Sequence, residues 1–566
     1  MITRRPRWTS YLGIGAVTGG VAVFLALVGM VETFSRRQII VGVISLGHAL
    51  LLLTGLASGY AAGRRAGRPA AALGGGVLAG AATGVVVAAF VVLGTSVDFR
   101  HMFVASSPGL YDILTFARGR AGLPLVVLAW TLVSVVGAGL ALLPATIRRP
   151  AFAGAVTVIF LGLFQELLQL TLQEGTVQTL LRDFLFTGDG LLPRGALTGF
   201  AVAAVGSVAS WRWGATVRGR ARSMPPRSRR ISAYTALLLA VIILFYLPRI
   251  VGEFPSQVLV FVGLFTLMGL GLNLEVGFAG LLDLGFVAFF AIGAYTVALL
   301  TTPEKYAIAQ FSFWLAVPVA LVVSLVAGVF FGLPILGIRG DYLAIATLGF
   351  GEIMRLLVLS DFLKPWLGGS RGIINLPKPI IFGYEFKEFG QLFWITIVAS
   401  AFIAFVAARL RDSRLGRSWM AIREDEDVAE AMGINTVTSK LLAYGIGGAF
   451  AGMGGAIFAV MIGSVFPHSF NLLVSINTLA LIIVGGMGSL PGVIVGSLFL
   501  VGLPELLREF AEFRYLVYGA VLILMMIVRP EGLWPEAARA RELHAEEAPA
   551  PAAEEALAAV GSDGEA

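Results

Sequence analysis

The sequence contains no cysteine, and its few histidines are far apart in the chain (His48, His101, His468 and His544). Without cysteine, a disulfide framework, a thiolate metal site and a cysteine nucleophile are excluded. No HExxH string occurs and no lysine follows a glycine, so the zinc-protease motif and the phosphate-binding P-loop are missing too. No DDxxD or DxxxD pattern for magnesium diphosphate is present. We therefore expect a protein that is not an enzyme and that binds no metal or cofactor itself.

Charge is also scarce. Only 13% of the 566 residues are charged and 57% are hydrophobic, with a mean hydropathy of +0.88. A soluble domain has about twice that charged fraction, roughly 25%. A single water-facing core cannot hide so much apolar surface, which excludes a large soluble enzyme. The net charge of +7 comes without the aromatic spacing of an RNA- or DNA-binding module, so we expect membrane lipids and no nucleic acid as partners.

Long apolar windows are abundant instead. A spanning helix needs about 20 mostly apolar residues, and continuously apolar runs such as 235–247 do not fit the alternating strands of a β-barrel. The pattern predicts an all-α fold, a polytopic transmembrane helical bundle with about 16 spans, about six in the N-terminal part and about ten in the rest. The predicted spans are 10–31, 38–61, 70–94, 123–144, 150–170, 193–211, 232–250, 257–275, 281–300, 311–337, 341–359, 391–409, 438–462, 472–487, 490–506 and 514–529.

Composition divides the chain into four parts. Residues 1–211 are expected to form an N-terminal transmembrane unit of unknown role, and 212–230 an arginine-rich cytoplasmic linker. Residues 231–535 combine dense glycine motifs with charges next to spans, and form the second membrane unit. Residues 536–566 are rich in Ala, Pro and Glu, which predicts a disordered acidic cytoplasmic tail.

Arginine-rich loops predict the orientation, because basic residues favour the cytoplasmic side of a membrane. The N-terminus and the segments 212–230 and 409–423 carry the clearest clusters, and the predicted spans place all three on one side. Arg36 and Arg37 fall on the opposite side and count against this scheme. We expect both termini to be cytoplasmic, and the basic, then apolar start of the chain to be an uncleaved anchor.

The segment 411–435, RDSRLGRSWMAIREDEDVAEAMGIN, lies between two predicted spans and is too polar to cross a membrane. Its acidic run 424–427 suits the first turn of a short helix, where the helix dipole favours negative charge. Gly433 suits the left-handed residue that ends such a helix. A short capped helix can insert into a groove on a soluble partner. On spacing alone, however, an ordinary solvated loop helix is favoured.

Two apolar segments, 268–295 and 475–497, are interrupted by glycines. Broken helices persist at membrane depth only against protein or a water-filled cavity, and paired broken segments are typical of transport sites. Tight helix packing explains the glycines equally well.

A charge near the bilayer centre costs roughly 2.5–3.5 kcal/mol, so polar residues in or next to spans favour a cavity or a partner. These are Asn273, Glu275, Asp283, Asp341, Glu352 and Arg355, of which Glu352 and Arg355 can pair on one helix face.

Seven strings follow one another over about 232–535. They are GLGLNLEVGFAGLLDLGFVAFFAIGAY (269–295), GIRGDYLAIATLGFGEIMRLL (337–357), GGSRGI (368–373), GRSWMAIREDEDVAEAMGIN (416–435), GGAFAGMGGAIFA (447–459), GGMGSLPGVIVGS (485–497) and VRPEGLWP (528–535). Each is weak alone, but the ordered set is specific. Together they resemble the LivM-type permeases of bacterial branched-chain amino acid ABC importers.

The resemblance implies a permease subunit that moves branched-chain amino acids inward across the bacterial cytoplasmic (inner) membrane. The implied partners are two cytoplasmic ABC ATPase subunits, a LivH-type second permease and a periplasmic substrate-binding protein. ATP would be bound by the ATPase subunits, which accounts for the missing P-loop. A urea or short-amide permease is the alternative, because urea importers have similar subunits.

The resemblance implies a set of coupling residues, and the two broken segments imply a set of pathway residues. Segment 416–435 corresponds to the loop that docks on the ATPase, and its Glu430, Ala431 and Gly433 resemble the EAA-type signature of ABC permeases. The ATPase-coupling residues are then Arg417, Arg423, Glu424, Asp425, Glu426, Glu430, Ala431 and Gly433. The expected translocation-pathway residues are Asn273, Gly277, Gly280, Asp283, Gly485, Gly486 and Gly488.

The first 230 residues or so depart from the family, whose ordinary members lack them. They contain no second coupling loop, so a fused partner permease is not expected and a separate LivH-type chain is. The string GGSRGI differs from the commoner TGG-x-x-GI form, which leaves the function of that external loop open.

Overall fold

A computed structural model describes residues 8–535 of the chain except 67, 173–175, 189, 224–225, 339, 507–512, 514–515, 517–518, 521, 524, 526, 528 and 530. The predicted disordered tail, 536–566, lies outside the described residues. The chain forms two compact units, here called unit 1 (Met1–Leu237) and unit 2 (Leu238–Ala566).

The described residues of unit 1 form ten α-helices. They are α1 (Trp8–Leu27), α2 (Met30–Ser35), α3 (Leu46–Arg65), α4 (Pro69–Ser96), α5 (Pro108–Leu114), α6 (Leu123–Leu142), α7 (Ala145–Leu163), α8 (Gln165–Thr171), α9 (Thr176–Leu185) and α10 (Pro193–Ser223). Its four short strands are β1 (Gln38–Ile40), β2 (Ile44–Ser45), β3 (Phe186–Thr187) and β4 (Gly190–Leu191). They form one sheet in the order β2-β1-β4-β3, in which only β1 and β4 are parallel.

Small residues let the helices α1, α3, α4 and α6 of unit 1 approach one another closely. A Cβ on Gly59 of α3 would collide with the backbone of Ser134 in α6. Buried hydroxyls add hydrogen bonds between helices. The hydroxyls of Thr83 and Thr18 lie 2.9 Å apart, and Ser134 Oγ donates to the carbonyl of Gly76 at 2.8 Å. These four helices of unit 1 therefore pack through small side chains and neutral polar contacts.

Unit 2 begins within α11 (Pro226–Val251), which contains the boundary between the units. The remaining helices are α12 (Glu253–Leu272), α13 (Val287–Thr301), α14 (Phe313–Gly332), α15 (Asp341–Leu359), α16 (Lys364–Leu367), α17 (Phe389–Arg411), α18 (Arg414–Glu424), α19 (Glu426–Ala431), α20 (Thr436–Ile462), α21 (Leu472–Gly485), α22 (Leu490–Ser497) and α23 (Leu503–Leu506). The strands β5 (Ile380–Ile381) and β6 (Tyr384–Glu385) form an antiparallel pair.

Helix α20 is the centre of unit 2, and α12, α13 and α14 pack around it. Glycines make these contacts close, because a Cβ on Gly293 of α13 would collide with the backbone of Gly452, and one on Gly455 with that of Phe290. Large side chains such as Phe278 fill the core around them. The buried α20 therefore forms a scaffold to which the other parts of unit 2 are attached.

The prediction of an all-α polytopic membrane bundle is confirmed. Eleven helices of the described residues are long and apolar enough to cross a membrane. Three more predicted windows fall on shorter apolar helices, Val241–Val251, Val287–Thr301 and Leu490–Leu506. Of the two remaining windows, 193–211 lies within α10, and half of the residues of 514–529 lie outside the described residues.

The arginine-rich stretch predicted as a linker is largely helical. Helix α10 continues to Ser223 and α11 begins at Pro226. Arginine is a good helix former, and proline fits the first helical turn, where its missing N–H is not needed. The division of the chain into four domains stays a prediction. The described backbone of this stretch forms the end of α10 and the start of α11.

The segment 360–388, between α15 and α17, is attached to the C-terminal end of α20. Lys378 Nζ donates to the carbonyls of Val460 and Met461 at 2.7 and 2.9 Å, where a cation is favoured by the helix dipole. Burial lowers the pKa of Lys378 from its ordinary value, and nearby Glu385 opposes that shift. These contacts fix the segment at the end of α20 that lies farthest from the 411–435 segment.

Candidate coupling and translocation site

The polar segment after α17 begins with helix α18, which is capped and held at its start. Ser413 Oγ accepts the backbone N–H of Gly416 at 3.2 Å, which satisfies one of the free donors at the helix N-terminus. Arg417 donates from Nη1 to the carbonyl of Asp412 at 3.0 Å and remains exposed. The start of the segment is thus fixed by local hydrogen bonds.

The segment contains two helices rather than the single one predicted. Glu424 ends α18, because Asp425 adopts an extended backbone with a φ of −157° and starts the new helix α19. The Asp425 carboxylate accepts the N–H of Val428 at 3.0 Å. The prediction that all of 424–427 lies in one first turn is therefore wrong for Glu424. Gly433 has a φ of +87°, the left-handed geometry predicted for the end of the helix.

Both helices are anchored to α20. Trp419 is fully buried, and its Nε1 donates to the carbonyl of Ser439 at 2.8 Å. Lys440, which is 4% exposed, donates from Nζ to Glu426 Oε1 at 2.5 Å. A buried tryptophan and a largely buried ion pair make this segment a rigid extension of α20. We call residues 411–435 the coupling segment.

The outer face of α19 is exposed. Glu430, Ala431 and Gly433 all face solvent, as do the apolar side chains of Val428 (57% exposed) and Met432 (79% exposed). An anchored helix with an exposed apolar tip and an acidic side chain can fill a groove on another protein.

The two glycine-interrupted segments meet at Asn273. Helix α12 ends at Leu272 and continues as a π-helical turn, Asn273–Phe278. Asn273 Oδ1 accepts the N–H of Gly488 at 2.9 Å. Gly277 lies against the same contact, because a Cβ there would be 2.8 Å from the nitrogen of Gly488. These predicted pathway residues are therefore close together, in a packed contact.

Gly485 and Gly486 lie in the second broken segment, at the end of α21. The carbonyl of Gly485 accepts the N–H of Trp534 at 2.9 Å, so the chain after the last predicted span packs against this break. Gly486 and Gly488 have φ angles of +118° and +82°. Breaks of this kind leave backbone groups that need partners away from the regular helix, and here other parts of the chain provide them.

One arginine joins the coupling segment to the broken end of α12. Arg423 of α18 donates from Nη1 to the carbonyl of Gly277 at 2.6 Å. Gly280 lies under the same side chain, since a Cβ there would be 2.8 Å from Arg423 Cγ. Sequence reasoning placed Arg423 in the coupling loop and both glycines in the pathway. It did not connect them, because they are more than 140 positions apart.

Two carboxyl groups are buried beside the break. Glu275 is fully buried, neither of its oxygens accepts a hydrogen bond from a described donor, and its carboxyl group lies beside that of Asp283. A Cβ on Gly447 would collide with its Oε1, which places the carboxyl group against the middle of α20. Asp283, 2% exposed, accepts the N–H of Gly285 at 2.6 Å. The sequence marked Glu275 only as a polar residue in a span, and nothing local predicted its burial.

The predicted pairing of Glu352 and Arg355 is confirmed. Arg355 Nε lies 3.1 and 3.0 Å from the two carboxylate oxygens of Glu352, and Nη2 also donates to that carboxylate. Among the described residues, no three histidine, aspartate or glutamate side chains lie close enough to hold a metal ion.

Known proteins resemble unit 2. The family described as branched-chain amino acid transport system / permease component matches residues 254–526. The branched-chain amino acid permease LivM of Salmonella typhimurium is 39% identical over 322 residues, covering 53% of this chain and 74% of the relative. LivM of Escherichia coli is 41% identical over 295 residues, covering 48% of this chain and 68% of the relative.

A second permease type is also similar. LivH of Escherichia coli is 25% identical over 291 residues, covering 48% of this chain and 90% of the relative. No solved structure matches the chain. The match to the family and the identity to two LivM proteins lead to one conclusion: this chain belongs to the branched-chain amino acid transport permease family.

Proposed function

We propose that this chain is a transmembrane permease subunit of an ABC importer that moves branched-chain amino acids inward, driven by ATP hydrolysis in partner subunits. The observation that carries the proposal is the hydrogen bond from Arg423 in the coupling segment to the Gly277 carbonyl in the break of α12. A push on the exposed helix α19 reaches α12 through a rigid segment and a charge-assisted hydrogen bond, which is stronger than a neutral one.

In this mechanism the bundle exchanges between inward-facing and outward-facing states. Closure of the ATPases moves the coupling segment as one body, and Arg423 moves the π-helical turn with it. A partner shifts such an equilibrium only through its different interaction energies with the two states, typically about 1–3 kcal/mol. The pathway residues act here as the hinge at which α12 and α21 bend. They are Asn273, Gly277, Gly280, Asp283, Gly485, Gly486 and Gly488.

The proposed complex contains two cytoplasmic ABC ATPases, a LivH-type second permease and a periplasmic substrate-binding protein. The exposed tip of α19 supports an ATPase contact, and the match to LivM proteins supports a second permease as partner. We place the protein in the bacterial cytoplasmic membrane with both termini and the coupling segment in the cytoplasm. Unit 1 is proposed as an accessory unit that leaves the orientation of unit 2 unchanged.

The test is a double substitution at the exposed tip, Glu430→Ala with Gly433→Ala, in cells that express the chain together with the proposed partner subunits. We expect leucine uptake to fall about tenfold or more, equivalent to about 1.4 kcal/mol of lost coupling. ATP hydrolysis by the complex and the amount of protein in the membrane should be unchanged. The matched control is Arg414→Ala, exposed at the other end of the segment.

Normal leucine uptake by the double variant would contradict the coupling assignment. Urea uptake is measured alongside leucine uptake. Wild-type cells that take up urea but not leucine would overturn the proposed substrate while leaving the permease assignment intact.

A further inference from the structure

Unit 2 contains a cavity of about 160 Å³ between α13 and α15. Pro467 and Phe470, which follow α20, form part of its wall, as does Leu367 next to the outer segment. Helix α20 begins directly after the coupling segment, and its 27 residues extend about 40 Å. The cavity therefore lies at the end of the bundle away from the coupling segment, which is the external side in the proposed orientation.

The wall of this cavity is mostly apolar, with a few polar groups. Val287, Ala291 and Met354 are among the apolar residues. Arg355 also lines the cavity, and its side chain is 27% exposed. Tyr295 is 6% exposed, and its hydroxyl has no hydrogen-bond partner among the described residues. An apolar wall with a few placed polar groups is the usual composition of a small-molecule site.

The volume limits what this cavity can hold. About 160 Å³ corresponds to roughly five water volumes of ~30 Å³ each. That is enough for a branched side chain of a few carbons. Urea is small enough to enter, but it offers no apolar surface to the wall.

We propose that this cavity binds the branched-chain amino acid within the permease, with the substrate carboxylate on Arg355 and the ammonium group on Glu352. The substrate side chain occupies the apolar wall, and the Tyr295 hydroxyl provides a further hydrogen bond to the head group. This inference rests on the proposed function and adds to it a site in the permease itself. The site is separate from the break of α12 and the coupling segment.

Charge complementarity supports this occupant. Arg355 lines the cavity, while Glu352 is not part of its wall and pairs with Arg355 beside it. A zwitterion bound next to Arg355 would present one group of each sign to this pair. Each side chain can therefore exchange its partner for a substrate group of the same charge as that partner. Arginine binds a carboxylate through two parallel hydrogen bonds, which gives the contact direction as well as strength.

The first test measures binding of radiolabelled leucine to the purified full-length chain in lipid nanodiscs. We expect isoleucine and valine to compete with leucine. Leucinol, which lacks the carboxylate, and 4-methylpentanoate, which lacks the ammonium group, should compete about tenfold more weakly or worse. Glutamate and urea should not compete. Absence of leucine binding, or equal competition by all of these compounds, would overturn the proposal.

The decisive variant exchanges the two charges, Glu352→Arg with Arg355→Glu. This swap keeps an ion pair but removes the guanidinium group from the cavity wall. If the pair only stabilises α15, the swap binds leucine normally and the proposal fails. We expect the swapped variant to be folded, which a thermal unfolding experiment checks. It should bind leucine at least about tenfold more weakly than wild type.

A second variant fills the cavity. Ala291→Leu adds three carbons to the wall and should weaken the binding of leucine more than that of the smaller valine. Ala401→Leu makes the same change at an exposed position of α17 and should alter neither. An unchanged preference between leucine and valine in Ala291→Leu would contradict the proposal.

Uptake by cells separates this inference from the proposed function. If cells with the wild-type transporter take up leucine and cells with the pocket variants take it up equally well, the cavity is not on the substrate's route. The proposed permease function then stands. If wild-type cells take up no leucine, the proposed function fails instead.

Discussion

In both units, glycines allow close contacts between helices, but the two units bury different kinds of polar side chain. In both, glycines let helices touch, as at Gly59 against Ser134 in unit 1 and Gly293 against Gly452 in unit 2. Among the described residues of unit 1, the buried polar side chains are hydroxyls and one glutamine amide. Unit 2 also buries ionisable groups, including Glu275, Asp283 and Lys440.

The difference in buried polar side chains shows where each unit has an unfavourable free energy of burial. A buried hydroxyl in a helix is satisfied by a nearby carbonyl and costs little. A buried carboxyl group is costly and persists where a structure uses it. In unit 2 the ionisable groups lie beside the break and at the base of the coupling segment, the places proposed to move. Unit 1 has the polar pattern of a static bundle.

The largest expected effect tests the anchor of the coupling segment. Lys440→Met removes the ammonium partner of Glu426 from a largely buried ion pair. Breaking such a pair from one side costs about 3–5 kcal/mol, so thermal unfolding of the purified chain should occur at a clearly lower temperature. The double variant Lys440→Met with Glu426→Leu should recover much of the loss. An unchanged unfolding temperature in the single variant would show that the pair does not hold the segment.

The second prediction concerns the contact between the coupling segment and the break. Arg423→Gln loses the charge-assisted bond to the Gly277 carbonyl, worth about 1.5–3 kcal/mol. We expect leucine uptake to fall about tenfold or more while ATP hydrolysis continues. Arg414→Gln, at an exposed position of the same helix outside the predicted coupling residues, is the matched control. Equal uptake by both variants would remove the basis for the proposed route of coupling.

A third prediction sharpens the contrast between the units. Deletion of residues 1–223 leaves α11 and all of unit 2. If unit 1 is accessory, uptake should remain within about twofold of wild type per inserted molecule, a change of about 0.4 kcal/mol. Insertion is checked by surface labelling of the membrane fraction. Complete loss of uptake with normal insertion would show that unit 1 is an integral part of the transporter.

The smallest effect is expected for a single hydroxyl of unit 1. Ser134→Ala removes the bond to the Gly76 carbonyl, and such bonds between membrane helices are worth about 0.6 kcal/mol on average. Thermal stability should fall slightly and uptake should not change. Strong loss of uptake in this variant would show that transport depends on the packing of unit 1 as it does on that of unit 2. It would contradict the proposed difference between the two units.

Much of the fold was predictable because it depends on local pattern. Apolar windows of about 20 residues marked the spans, since lipid requires backbone hydrogen bonds to be satisfied within each helix. Gly433 was correctly placed because a left-handed helix end favours glycine. The split of the coupling segment into two helices was missed. Asp425 is a good helix cap, but the acidic run around it offers several positions where a helix could start.

The sequence by itself determined the class of the protein, its membrane-spanning helices and its family, because hydropathy and the order of short motifs are properties of the linear chain. Only the tertiary structure decided which distant residues meet. It brought Arg423 to Gly277, Asn273 to Gly488, and the Glu352–Arg355 pair to the edge of an apolar cavity. The physical reason is that these contacts depend on how helices pack against α20, and packing joins positions that no periodicity along the chain connects.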